Sequence, residues 1–278
     1  MGPRRHGGDP RRTALLMAAP ALAVFAAFWL LPMARLVQVG GSGPDGFAAY
    51  FAVVTNANYF RSLVSTVLLS LGVTVATLAL SLVSGIFLQR NRFPGRGVLI
   101  SLMTLPLAFP GVVVGFMVIL LAGRQGLVGD VSSRLFDEKI VFAYGMAGLF
   151  MGYLYFSIPR VILTVMASVE KLDPALEEVA RSLGASTWQV TRDVILPGLG
   201  PAIISSGAIC FATSMGAFGT AFTLATQINV LPLTIYNEFT NYANFSMAAS
   251  LSIVLGLITW AALALARSLA GADVAAAG

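Results

Sequence analysis

Charge is scarce in this chain: Lys, Arg, Asp and Glu together make up 10% of its 278 residues. A soluble domain averages about 25%, because its surface has to face water. That shortage excludes an ordinary water-soluble globule. Cysteine is scarcer still. Cys210 stands alone in an apolar stretch, so there is no internal disulfide, and with His6 as the one histidine no Cys/His metal cluster can be assembled. His6 lies in an Arg-rich tail and reads as a solvated side chain rather than a ligand. Lysine occurs only at 139 and 171, and no G-x-x-x-x-G-K-[ST] run exists. The chain therefore carries no P-loop nucleotide site.

What is abundant is apolar: 57% of residues, with a mean hydropathy of +0.85. A spanning helix needs roughly 20 mainly apolar residues, and charge-free runs reach that length repeatedly. The expected spans are Thr13–Ala34, Ser62–Gln89, Gly97–Gly123, Ile140–Pro159 continuing past Arg160 to Val169, Gly200–Leu224 and Phe239–Ala266. The first, although preceded by Arg4, Arg5, Arg11 and Arg12, exceeds the apolar length of a signal peptide and lacks a clear small-x-small cleavage site before Pro32. It reads as a retained helix. The expectation is an all-α integral membrane protein of six transmembrane helices, inserted in the plasma (inner) membrane as a multi-pass chain. Residues 1–12 form an N-terminal tail, 13–58 the first helix and an external loop, 59–267 the main helical body, and 268–278 a C-terminal tail. Pro106, Pro110, Gly111 and Gly115 predict a kink in the third span, and residues 228–236 fit either a loop or a short re-entrant helix.

The net charge of +5 would suit nucleic acid, but its distribution fits membrane orientation instead, since Lys and Arg gather in cytoplasmic loops. With the N-terminus inside, eleven Lys/Arg residues fall on the cytoplasmic side (Arg90, Arg92, Arg96, Lys171, Arg181 and Arg192 among them) and five outside. Both termini and the loop Lys171–Pro197 are thereby placed in the cytoplasm.

That loop reads KLDPALEEVARSLGASTWQVTRDVILP. Asp173 followed by Pro174 is a helix start, Glu177 and Glu178 suit the positive end of the helix dipole, and Gly184 is a natural stop. Leu176, Val179, Ala180 and Leu183 recur at i, i+3, i+4 and i+7 as one apolar stripe. Ser186 can cap a second helix through Trp188 and Arg192, with Pro197 ending the loop. A solvated linker gains nothing from exposing Leu176, Val179, Leu183, Trp188 and Val190, so part of this face reads as a docking surface.

The spacing Glu178-Val179-Ala180-x3-Gly184-x9-Val194-x-Leu196-Pro197 resembles the EAA loop of ABC importer permeases, with Val179 and Val194 as conservative departures. The similarity extends over about Tyr59–Arg267. The resemblance implies that the loop is a coupling helix seated in a cytoplasmic ABC ATPase dimer, with Leu176, Glu178, Val179, Ala180, Leu183, Gly184 and Trp188 at the contact. It also implies a second permease subunit, identical or different, and an extracytoplasmic substrate-binding protein. ATP is used by the partner ATPase; the chain itself binds no cofactor and is no enzyme. Phe156–Thr164 and Ser214–Phe222 look most like permeases of the spermidine/putrescine group, with phosphonate, ferric iron, sulfate and thiamine permeases as alternatives.

Candidate pathway residues are Arg160, Ser214, Phe218 and Thr220. For each a plainer reading stands beside the functional one. Arg160 can snorkel to the interface or brace the Pro159 kink, and the small polar residues of the fifth span can serve close helix packing. Two other classes compete. A secondary transporter or channel would show paired intramembrane charges or inverted repeats, and a scaffold would need no amphipathic loop.

Overall fold

The computed structural model describes residues 10–224 and 228–270, so residues 1–9 and 271–278 of the expected tails lie outside it. Every regular element among the described residues is helical. Five helices are long and apolar enough to cross a membrane, and a sixth span results if one bent pair is counted together.

The first span, α1 (Met17–Gly40), has none of its most apolar window buried in the chain. After a short helix, Gly46–Thr55, comes α2 (Ala57–Arg90), which has 34 residues without a proline. At 1.5 Å per residue it is about 51 Å long, well beyond a hydrocarbon core of roughly 30 Å. Asn56 caps its start by accepting from the Asn58 amide at 2.9 Å. At its other end Arg96 Nε donates to Leu88 O at 2.6 Å. The buried face of α2 carries Ser62, Thr66, Ser70, Thr74, Thr77 and Ser81 at helical spacing, followed by Gly85. Such small residues let neighbouring backbones approach: a Cβ on Gly85 would stand 2.8 Å from Val165 Cγ1, and one on Gly207 3.1 Å from Leu78 Cδ1.

The predicted third span is not one helix. Its apolar run is divided into α3 (Arg96–Ala108) and α4 (Gly111–Phe136). The expected kink thus becomes a full break at Phe109-Pro110, where Phe109 is extended, because proline disfavours the helical conformation in the residue before it. The span register shifts accordingly. Helix α4 runs on through a turn at residues 123–126 into what the sequence presents as a polar external loop. The fourth span, α5 (Met146–Glu170), starts later than Ile140, because Phe142 and Ala143 donate to Ala122 O and hold residues 140–145 as a strap.

The loop that follows contains α6 (Pro174–Ser182) and α7 (Thr187–Gly198), which meets α8 (Gly200–Met215) at a bend of 66°. Pro197 therefore sits inside α7, and the turn into the fifth span falls two residues later than expected. Helix α8 stops at Gly216, and α9 (Gly219–Leu224) resumes after a break. The carbonyl of Ala217 in that break is taken up by Tyr153 OH at 2.6 Å. Next, α10 (Leu231–Tyr236) continues through a π turn, Asn237–Asn241. It is buried against α2, where the Leu231 amide donates to Thr66 Oγ1 at 2.8 Å and Thr234 Oγ1 to Ser62 Oγ at 3.0 Å. The last span, α11 (Phe245–Ala270), begins beyond the expected Phe239, since residues 239–241 finish the preceding helix. Helices α2, α5, α8 and α9 enclose the main apolar core, which includes Val73, Leu149, Tyr153, Val165 and Leu224.

Candidate functional site

The loop between α5 and α7 folds as the sequence dictates. Asp173 Oδ1 accepts from the Ala175 amide at 2.9 Å, and Pro174 occupies the first helical position. At the far end, Gly184 has φ +87°, its amide donates to Arg181 O at 2.9 Å, and the Ala185 amide donates to Ala180 O at 3.1 Å. This pair of bonds is a Schellman stop, which needs a left-handed residue after the helix. Ser186 then begins α7 with a full capping box: Gln189 Oε1 accepts from the Ser186 amide at 2.7 Å, and Ser186 Oγ accepts from the Gln189 amide at 3.4 Å. Two caps separated by one tight turn fix the angle between α6 and α7.

The sides of α6 are chemically distinct. Ala180, with Leu172 and Ala185, rests on the main core. Leu176 and Val179 face outward, as do Leu183 at 84% exposure and Trp188 at 67%. Four large apolar side chains are thus left uncovered at a bundle end rich in arginine. Glu178 is exposed as well, and its carbonyl accepts from Ser182 Oγ at 2.9 Å.

Glu177, one residue earlier, behaves differently. Its side chain is only 8% exposed; it pairs with Arg90, the last residue of α2, and with Arg181 one turn on at 3.4 Å. The sequence pattern marks Glu178 for the contact and gives Glu177 no role beyond the helix dipole. The i,i+4 spacing of Glu177 and Arg181 was a usable signal. Arg90, 87 positions away in the chain, gave none.

A second feature lies at the opposite end of α2. A cavity of about 840 Å³ is bounded by Arg35 of α1, Phe218, Tyr236 and Ser252 of α11, among others. Arg35 is its one charged lining residue, and Arg35 Nη1 donates to Gln38 Oε1 at 3.0 Å. Phe218, Phe222 and Tyr236 form a three-ring cluster with centroids 5.2–5.3 Å apart.

The four candidate pathway residues do not converge. Phe218 alone borders the cavity. Thr220 is buried, and its Oγ1 donates to Gly111 O at 2.9 Å, which holds α9 against the start of α4. Ser214 is buried in α8 with its hydroxyl unpartnered. Arg160 is exposed on α5, away from the cavity lining.

The sequence profile described as "Binding-protein-dependent transport system inner membrane component" matches residues 78–272, which takes in the whole loop and both helices that anchor it. The chain belongs to this family. It is accordingly a membrane permease subunit of an ABC importer, and the ATPase of such systems is a separate subunit. Among curated relatives, the sulfate transport system permease protein CysT of Escherichia coli is 31% identical over 82% of this chain and 83% of its own length. The molybdenum transport system permease protein ModB of the same organism is 36% identical over 68% and 85%. The permease fold is shared with a chain of a bacterial alginate ABC transporter solved with a pentasaccharide-bound periplasmic protein (TM-score 0.80, 20% identity, 94% of this chain and 95% of that one). A chain of the MetNI methionine ABC transporter matches more loosely, with a TM-score of 0.53 at 16% identity over 77% and 99%. The spermidine/putrescine likeness of Phe156–Thr164 and Ser214–Phe222 finds no counterpart among these permeases, whose names specify other cargo.

Proposed function

We propose that this chain forms the translocation path of an importer for a tetrahedral oxyanion of the sulfate or molybdate type, driven through the loop Lys171–Pro197. The observation that carries the mechanism is the uncovered face of Leu176, Val179, Leu183 and Trp188, held at a fixed angle by the Gly184 turn. A cytoplasmic ATPase dimer seats this face, and Glu178 and Ala180 flank the contact. Closure of the dimer on ATP swings α6 and α7, and the bundle answers by opening its other end to a cargo-loaded binding protein. A second permease copy or homologue completes the path.

Several observations support the orientation and the cargo. Arg90 meets Glu177, so Arg90, Arg92 and Arg96 lie at the same bundle end as Lys171, Arg181 and Arg192, and a cationic end belongs in the cytoplasm. The named relatives carry sulfate and molybdenum, which replaces the polyamine expectation. The cavity lining agrees: it contains Arg35 and no carboxylate, a wall that repels a dianion nowhere and offers a polycation no counter-charge. Phe218, by this reading, borders the path, Ser214 and Thr220 serve packing, and Arg160 lies exposed on α5 away from it.

The test is uptake by proteoliposomes containing this permease with its ATPase and binding protein. ATP-dependent accumulation of labelled sulfate or molybdate, undiminished by excess spermidine, is expected. Accumulation of spermidine would overturn the cargo, and uptake without ATP would overturn the importer class.

A further inference from the structure

Helix α6 has few ties to the bundle. Its backbone neighbours are the later turns of its own loop, and apart from Ala180 its apolar residues point away. One polar side chain runs inward. Glu177 is buried, and of its two cationic partners Arg181 belongs to α6 itself, whereas Arg90 belongs to α2. The Arg90 guanidinium meets Glu177 Oε1 through Nη2, while its Nε is buried without a hydrogen-bond partner. The end of α2 is in turn immobilised by Arg96, bonded to Leu88 O at 2.6 Å and to Gln89 Oε1 at 3.1 Å.

At its other end the same helix holds α10. Thr66 Oγ1 accepts from the Leu231 amide, Ser62 Oγ from Thr234 Oγ1, and Tyr59 OH donates to Glu238 Oε1 at 2.8 Å. Thr66 lies about 36 Å from Arg90 along a helix with no proline or break to absorb movement. Helix α10 carries Ile235 and Tyr236 into the cavity wall.

We infer that the Arg90–Glu177 ion pair is the positioning contact that ties the coupling helix to α2, making α2 a rigid strut that carries the ATPase stroke to α10 at the cavity. The inference rests on the loop being the ATPase-coupling element. Two routes out of α6 are covalent, through α5 and through α7; the ion pair is a third, and among the described residues it is the salt bridge that joins α6 to α2. Without it, α6 tilts against α2 and the stroke is delivered to α5 and α8 only.

A double-mutant cycle tests this in the complete complex of permease, ATPase and binding protein, reading substrate transported per ATP hydrolysed. R90A and E177A are each expected to lower that ratio roughly tenfold, within the range of a coupling of 1–3 kcal/mol, while co-purifying ATPase stays at wild-type level. R90A/E177A is expected to be no worse than either single change, and R90K to recover most of the ratio, since it keeps a cation in reach of Glu177. Additive losses in the double variant, or a wild-type ratio in R90A, would overturn the tether. If one single variant fails to assemble, the comparison of R90K with R90A/E177A still decides: a ratio in R90K no higher than in the double variant contradicts the proposal. G184W in the same assay separates the two levels of argument. Uncoupling by G184W with no effect of R90A sinks the tether alone, whereas no uncoupling by either sinks the coupling-loop reading as well.

Discussion

Gly184 is the residue at which backbone chemistry and function meet. Its φ of +87° is a conformation that costs an ordinary L-residue roughly 1–2 kcal/mol, and asparagine pays less than most. A Cβ there would meet nothing within 4 Å, so the cost of a side chain at 184 is conformational rather than a Cβ clash. G184N should therefore keep the turn and most of the coupled transport, whereas G184W, with the full left-handed cost and a bulky side chain beside the uncovered stripe, should assemble less with the ATPase and lose it. Uptake measured beside ATPase co-purification separates the two, and equal activity of both would mean that nothing packs on the turn. The glycine, its caps and the outward Leu176, Val179, Leu183 and Trp188 were legible in the sequence because each is a local pattern of a few residues. Val190, expected on the exposed face, is instead buried in the core, and Ala180 turns toward it. Glu177 was not legible, since its inward role depends on Arg90, and spacing within one helix says nothing about a partner 87 positions away.

Among the elements, the spans that held to expectation are those in which an apolar run coincides with uninterrupted helix, as in α2. The misread ones carry punctuation whose consequence is tertiary. Pro106 and Pro110 announced a kink, but whether a proline bends a span or divides it depends on what takes up the freed backbone groups. Here the hydroxyls of Thr220 and Thr223 donate to Gly111 O and, at 3.3 Å, to Val112 O, which ties the first turn of α4 to α9 just beyond the break. The same contact explains Gly115, where a Cβ would stand 2.6 Å from Thr223 Cβ. G115L should destabilise the detergent-solubilised permease by about 1–3 kcal/mol through overpacking, seen as a lower thermal midpoint. G97A, at a helical glycine with nothing within 4 Å, should leave the midpoint unchanged or raise it, because alanine is the better helix former. The reverse order of the two midpoints would contradict the packing described for α4 and α9.

Across the whole molecule, composition alone specified a membrane bundle, and the loop's spacing alone specified how it is powered. Cargo was the least legible property. The likeness of two short segments to polyamine permeases carried no chemistry with it, since no residue in them could be assigned a substrate contact. Along α2 the structure sets a cationic end whose Arg90 meets Glu177 of the loop and, some 36 Å away, hydroxyls that bond α10 beside the cavity. The stripe on α6 and α7 is an apolar surface that no other part of the described chain covers, and it lies at the arginine-rich end of the bundle. The account therefore stands or falls on what covers that stripe. The direct measurement is thiol cross-linking in native membranes from single cysteines at 183, 188 and 177, in a background lacking Cys210. L183C and W188C are predicted to cross-link to the ATPase subunit and to be shielded from water-soluble maleimide in its presence, with E177C doing neither. Full maleimide labelling of L183C and W188C in the assembled complex, with no cross-link, would contradict it.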